Sequence, residues 1–362
     1  MFFAATVLAA ISTVWPKGIQ LALSARHGSG SFKEPHVARW TVIDATTIAI
    51  LVVFAGARVG VGRDWISYSY FYDALDPGSA WAAQVGESPM EPGFTVLSLM
   101  LKLGFENKQA YFTTLSAITI ASVYAAVKRF GSNLWLTIFL YLSLGSYLLQ
   151  FNATREALAV SLCFLAASLR DARRGVRWLL LGIAVSMHLS ALVFVAVFYV
   201  ARLSRGRPGR SILWPASLVM LVGLLLSQPL LQSWLVSARP GYRNYFDSAV
   251  SRSAGVGYVL ITVLDGLFVI FLALNGAMKR EPFLFGMCLS GVFALLIGLN
   301  SVVVGRMADY FTIFFIVALA EEISRNRYRI LLEFLTVLGG AAYLFLYLKS
   351  YGDLVPYSSV WG

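Results

Sequence analysis

Residues 258–277 read YVLITVLDGLFVIFLALNGA, twenty positions with one charge, Asp265. A bilayer core about 30 Å thick takes roughly 20 apolar residues per helical crossing, so this run predicts a membrane span and not the striped helix of a soluble core. Similar runs occupy residues 2–23, 41–57, 110–127, 133–150, 153–169, 212–235, 283–301, 307–323 and 330–349, which predicts about ten full crossings. The composition agrees: of 362 residues 58% are hydrophobic and 13% charged, and no stretch is left for a soluble domain. The expectation is an all-α, polytopic integral membrane protein forming one domain over 1–362. Pro16 and Lys17 lie inside the first run, with no small-residue cleavage pattern after it, so it reads as a retained helix and not a signal peptide. Cys163 and Cys288 lie within apolar runs, without metal-ligand spacing and too few for a disulfide framework.

The net charge of +11, from 29 Lys and Arg against 18 Asp and Glu, would suggest nucleic acid in a soluble chain. In a polytopic one it points to cytoplasmic loops, and no nucleic-acid partner is expected. Placing Arg26, Lys33 and Arg39 inside puts Lys128 and Arg129, Arg170 to Arg177, Lys279 and Arg280, and Arg325 to Arg329 inside as well. One apolar segment, 178–201, has arginines at both ends: Arg173, Arg174 and Arg177 before it, Arg202, Arg205, Arg207 and Arg210 after it. That pattern predicts a re-entrant hairpin of two half-helices turning near Met187-His188-Leu189-Ser190, an element tolerated where it faces protein or a watery cavity. The short block Glu91–Leu103 reads as a further half-helix on the outer side.

With this topology Arg58, Arg63, Arg155, Arg239, Arg243, Arg252 and Arg306 fall on the outer face, where such residues are normally avoided. A guanidinium there must be solvated, paired or bound to an anion, and its fork suits phosphate oxygens. Ordinary pairing with Asp64, Glu91, Glu156, Asp247 and Asp309 is the plainer alternative. The arginines sit in short motifs. Arg58-Val-Gly-Val-Gly-Arg63-Asp64-Trp-Ile-Ser-Tyr68 follows the second span, its glycines allowing a tight turn or a backbone approach to ligand. Phe151-Asn152-Ala-Thr-Arg155-Glu156 opens a helix, with Asn152 as the expected N-cap, and so offers a phosphate seat at a positive helix end. Its Asn-x-Thr sequon lies at the membrane surface, where a glycan scarcely fits. Arg239-Pro-Gly-Tyr242-Arg243-Asn-Tyr245 mixes cations with rings that either form an interfacial belt or a platform for sugars. In Gly305-Arg306-Met-Ala-Asp309-Tyr310-Phe311, Arg306 and Asp309 form an i,i+3 pair. Asp44 and Asp265 lie within spans and read as internal hydrogen-bond partners.

Arg58 through Tyr68, Asn152-Ala-Thr-Arg155-Glu156-Ala-Leu-Ala, His188-Leu-Ser190-Ala and Gly305-Arg306 through Tyr310-Phe311, in this order, resemble the EpsG family of bacterial polysaccharide polymerases, the Wzy-type enzymes. The likeness covers nearly the whole chain. The family's first motif usually has threonine before the aspartate; here Arg63 stands there. The resemblance implies an inner-membrane, multi-pass glycosyltransferase similar to the C-type membrane enzymes, active on the periplasmic or extracellular side in exopolysaccharide or O-antigen synthesis. It implies undecaprenyl-diphosphate-linked oligosaccharides as donor and acceptor, a protein that sets chain length as a further partner, and no cofactor or metal. In agreement, no Asp-x-Asp signature stands in an outer loop, and His27, His36 and His188 do not form a ligand cluster.

That chemistry assigns roles. The expected diphosphate-binding residues are Arg58, Arg155, Arg306, Arg239 and Arg243, because preorganised cations stabilise a developing diphosphate charge. Tyr68, Tyr242, Tyr245 and Tyr310 are the expected sugar-contacting rings. The candidates to orient or deprotonate the acceptor hydroxyl are Asp64, Glu156 and His188, with Asp64 first and Glu156 read as holding Arg155 in place. An O-antigen-ligase-like enzyme needs the same lipid-linked donor and is the closest alternative. A transporter of lipid-linked sugars would show pseudo-symmetric halves, and a membrane acyltransferase would pair His188 with a second polar partner that the sequence does not display.

Overall fold

The computed structural model describes residues 40–169, 171–203, 208–226, 256–299, 302–350 and 354–361, with the isolated positions 232, 233 and 237. The apolar run at 2–23 and the loop carrying Arg239, Tyr242, Arg243, Tyr245 and Arg252 lie outside the described residues. Among those residues the regular structure is helical throughout, as the sequence predicts.

The first helix, α1 (Val42–Gly56), begins with a capping box: Thr41 Oγ1 accepts from the Asp44 amide, and Asp44 Oδ2 accepts from the Thr41 amide at 2.7 Å. The buried Asp44 also takes Lys128 Nζ at 2.5 Å and the Tyr124 hydroxyl at 2.7 Å. A charge inside a span thus meets an opposite charge and hydrogen bonds instead of water. Three helices follow and one long one closes the first group: α2 (Trp65–Ala74), α3 (Trp81–Glu87), α4 (Pro92–Gly104) and α5 (Lys108–Phe130). Asn107 caps α5 by accepting from the Gln109 amide, and Gly131, in the left-handed region, ends it.

The sequence predicts one crossing over 133–150, whereas the chain forms α6 (Leu134–Ser143), a turn, and α7 (Leu149–Asn152). Gly145, at φ 86°, makes that turn, a conformation that lets an apolar run break without polar residues. Next, α8 (Thr154–Ser168) is buried nearly all round, holding Leu158, Cys163 and Phe164 in the centre of the bundle. A helix apolar on every side and enclosed by others is a core helix.

After a single 3-10 turn come α9 (Arg174–Met187) and α10 (Ala191–Leu203), joined at His188-Leu189-Ser190. Asp171, just before α9, pairs with Arg177 at 3.3 Å and with Arg202 from the far end of α10. Trp178 and Tyr199 pack with ring centroids 6.2 Å apart. The two ends of the element therefore lie side by side and His188 is its tip, the hairpin predicted from the flanking arginines. At 1.5 Å per residue each half is about 20 Å long, short of a full crossing.

The remaining helices are α11 (Pro208–Leu226), α12 (Val256–Leu274), α13 (Ala277–Arg280), α14 (Pro282–Gly298), α15 (Val302–Met307), α16 (Asp309–Thr312), α17 (Phe315–Arg325) and α18 (Arg329–Ser350). The crossing predicted over 307–323 starts earlier and is interrupted. Ala308, Phe311 and Phe314 donate to carbonyls three residues back, tightening the helix into successive turns. Among the described residues three helices, α5, α12 and α18, are long and apolar enough to cross a membrane. Of these α12 and α18 are largely uncovered by protein, as expected of surfaces that meet lipid.

Candidate functional site

The functional motifs meet where α1 ends and α8 begins. The chain leaves α1 through a loop whose Gly60 and Gly62 have φ of 65° and 93°. A Cβ on Gly62 would stand 2.1 Å from the Phe151 carbonyl oxygen, so this glycine admits the chain's own backbone and not a ligand. The Arg63 amide then donates to Asn152 Oδ1 at 2.9 Å. Asn152 is therefore a brace for that loop and not the expected N-cap; the preceding turn α7 runs directly into α8, whose capping position falls to Ala153.

Arg58 departs most from expectation. It is 1% exposed, with Nη1 donating to the Ala55 carbonyl at 2.6 Å and Nη2 to the Gln150 carbonyl at 2.9 Å. The Phe151 and Phe112 rings flank it at 4.7 and 5.2 Å from their centroids. It fastens the floor of the site from within and does not face an anion.

Arg155, in the first turn of α8, points into the cluster. Its Nε and backbone amide donate to the Tyr68 hydroxyl at 3.3 and 3.4 Å, and its Nη1 pairs with Glu91 Oε2. Glu91, 5% exposed, precedes α4. Its other oxygen, Oε1, meets His188 Nδ1 at 2.9 Å. Burial pushes the Glu91 carboxyl up, but the hydrogen bond with His188 and the charge of Arg155 outweigh it and hold the group at about 2. One ionised carboxylate thus bridges a cation on a core helix and the tip of the hairpin. The carboxylate that holds Arg155 is Glu91's, and not that of Glu156 as expected.

Asp64 is half-buried at the start of α2, and its carboxylate makes no capping bond. Burial raises its pKa, opposed by the charges of Arg306, Arg155 and Arg63. Arg306 is exposed at the end of α15, and three arginines from three segments lie within electrostatic range of this carboxylate. Glu156 lies beneath, 3% exposed, within electrostatic range of Asp309, Arg306, Arg155 and Asp64, and its Oε1 has no hydrogen-bond partner among the described residues.

Of the expected sugar-contacting rings, Tyr68 and Tyr310 are buried, at 4% and 1% exposure. The Tyr68 hydroxyl orients Arg155, and the Tyr310 hydroxyl accepts from Ser190 Oγ at 3.1 Å beside the hairpin tip. These rings serve as internal props, not open platforms. Asp64, Arg155, Arg306, Glu156, His188, Tyr68 and Tyr310 are brought together, while Arg239, Arg243, Tyr242 and Tyr245 lie outside the described residues. The sequence reading gives Glu91 only as an ordinary surface partner. A carboxylate opening one half-helix, together with a histidine turning another, is the signal that could have singled it out, since paired broken helices mark binding sites in membrane bundles.

The chain matches the model of the EpsG family over residues 42–359. No curated protein and no solved structure matches it.

Proposed function

Because the chain belongs to the EpsG family, the family of Wzy-type polysaccharide polymerases, we propose that it joins oligosaccharide repeat units carried on undecaprenyl diphosphate. The reading places the reaction at the outer face of the bacterial inner membrane, with a chain-length-setting protein as partner. The observation that carries it is that Arg63, Arg155 and Arg306 lie within electrostatic range of Asp64, with Arg155 linked through Glu91 to His188, at one end of an apolar bundle. The opposite end collects Lys128, Arg177, Arg202, Arg280 and Arg325, which is the cytoplasmic signature.

The chemistry follows from the groups present. Attack of an acceptor hydroxyl on the donor's anomeric carbon breaks the bond to the diphosphate, and negative charge grows on the departing oxygen. Arginines fixed beforehand in a partly dry site stabilise that charge without reorganising. Arg155, braced by Tyr68 and Glu91, and Arg306 are suited to this task. Two groups at the cluster can take the acceptor's proton, Asp64 and His188.

The test is purified protein in lipid nanodiscs supplied with lipid-linked repeat units. A ladder of products spaced by one repeat is the expected result. A single transferred block would assign a ligase, and no transfer at all would overturn the reading.

A further inference from the structure

Glu91 stands out among the buried charged groups because no sequence motif marks it and because its two oxygens do different things. It sits at the N-cap of α4 but makes no capping bond, and the next residue, Pro92, has no amide hydrogen to offer it. The carboxylate is instead turned across to α8 and to the hairpin tip. Oε2 takes Arg155 Nη1, and Oε1 takes His188 Nδ1 at 2.9 Å. The charged or titratable groups facing it are Arg155 from α8 and His188 from the turn between α9 and α10; beyond Arg155 lie Tyr68 and Asp64. With Glu91 ionised, the hydrogen in the contact with His188 belongs to Nδ1, and the neutral imidazole in that tautomer carries its lone pair on Nε2. His188 is 23% exposed at its side chain while Glu91 is 6%, so the histidine is the member of the pair that a substrate can reach.

We propose that Glu91 is a positioning residue that holds His188 in the tautomer able to take the acceptor's proton, and that it fixes this base at a set distance from Arg155 under the leaving diphosphate. The proposal rests on the polymerase reading and deepens it by making His188, and not Asp64, the proton acceptor. In the step it describes, an oxygen lone pair of the acceptor hydroxyl forms the new bond to the anomeric carbon. The bond between that carbon and the phosphate oxygen breaks, its electron pair leaving with the diphosphate held by Arg155. The hydroxyl proton passes to His188 Nε2, and the imidazolium so formed faces the Glu91 carboxylate. The proton is then released to solvent. One side chain thereby couples the two halves of the displacement, a cation for the leaving group and a base for the nucleophile, each on its own oxygen.

The experiment uses the full chain in nanodiscs with lipid-linked repeat units, and measures initial turnover for wild type, His188→Ala, Glu91→Gln, the double variant and Asp64→Asn, each with and without added imidazole. His188→Ala and Glu91→Gln are each expected to lose about 100-fold in turnover, the lower end of what a positioned base contributes. Free imidazole is expected to restore part of the turnover of His188→Ala and none of that of Glu91→Gln, whose own histidine still fills the place. The double variant is expected to be at least about tenfold more active than the product of the two single losses, because residues acting as a unit do not add. Turnover of Glu91→Gln above a third of wild type, additive losses, or a His188→Ala variant that imidazole does not help would overturn the proposal. So would loss of turnover in Asp64→Asn alongside near-normal His188→Ala. Should Glu91→Gln not fold, Glu91→Asp decides: it keeps the charge but withdraws it by one methylene, and unchanged turnover would count against the proposal. A wild-type protein that transfers nothing defeats the polymerase reading; a wild-type ladder with any of the overturning results defeats this proposal alone.

Discussion

Gly93 offers a way to move Glu91 without touching its chemistry. A Cβ built on this glycine would stand 2.2 Å from Ser186 Oγ, 2.6 Å from Ser186 Cβ and 2.9 Å from the Ser186 backbone carbon. Carbon atoms pack at about 3.5–4.0 Å, so alanine at 93 forces α4 and α9 apart by roughly 1 Å. Glu91 lies two residues before this contact on one helix and His188 two residues after it on the other. Their 2.9 Å contact is therefore stretched toward about 4 Å, outside hydrogen-bonding range. A misplacement of about 1 Å at a catalytic group costs on the order of 100-fold in rate, while overpacking of this size destabilises by about 1–3 kcal/mol. The expected phenotype of Gly93→Ala is thus a protein that inserts and binds lipid-linked donor but polymerises about 100-fold more slowly. Adding Ser186→Gly removes the two nearest of the three clashing atoms and should return part of the rate. The measurements are initial turnover on lipid-linked repeat units and thermal unfolding in the same nanodiscs. Wild-type turnover in Gly93→Ala would refute the reasoning, since it would mean either that the helices do not approach this closely or that the Glu91–His188 contact does not matter.

Arg306→Ala should lower turnover about 100-fold or more through loss of one preorganised donor to the leaving group, and Arg306→Lys should recover only part of it because ammonium lacks the bidentate fork; product ladders at equal protein report both. Lys128→Met leaves the buried Asp44 without its cation and is expected to destabilise the fold by about 3–5 kcal/mol, whereas Lys128→Met with Asp44→Leu should unfold nearer to wild type on thermal melting. The Glu91 carboxyl is held at about 2 against an ordinary 4.5, so its contribution to stability is complete above pH 4.5 and is lost as pH falls from there toward about 2. Melting curves over that range should flatten in Glu91→Gln relative to wild type.

The sequence made the helical hairpin legible because its evidence is local: Arg177 and Arg202 bracket an apolar run, and the Asp171 pairing that closes it involves these same ends. Arg155 and His188 were legible as motif residues. Glu91 was not, because its partners are 64 and 97 positions away, and its place at the start of the half-helix read over Glu91–Leu103 says nothing of which residues it meets. Arg58 was misread for a similar reason. Nothing near it in sequence reveals that its guanidinium meets the Gln150 carbonyl, 92 positions on, so charge at a span end read as surface charge. The break between α6 and α7 hides inside a continuous apolar run, where hydropathy is blind and only Gly145 carries a hint.

The loop that bears Arg58, Arg63 and Asp64 is closed from the far end of the chain. The Val59 amide donates to the Ser358 carbonyl and the Val360 amide to the Ala57 carbonyl, both at 3.0 Å, while Tyr357 stacks on Phe54 at 4.4 Å and donates its hydroxyl to the Phe54 carbonyl at 2.5 Å. Phe54 and Tyr357 are 303 positions apart. At a synthesis rate of about 5–20 residues per second, roughly 15–60 s separate the making of the loop from the making of its clasp. During that interval the described helices after α1 emerge and the wall carrying Arg155 and His188 can assemble, while the loop still waits for its second anchor. The order of translation therefore leaves the loop ahead of Asp64 without its clasp until after Arg306 has been made, about 3–10 s later at the same rate, so the arginines and their loop are completed together near the end of synthesis.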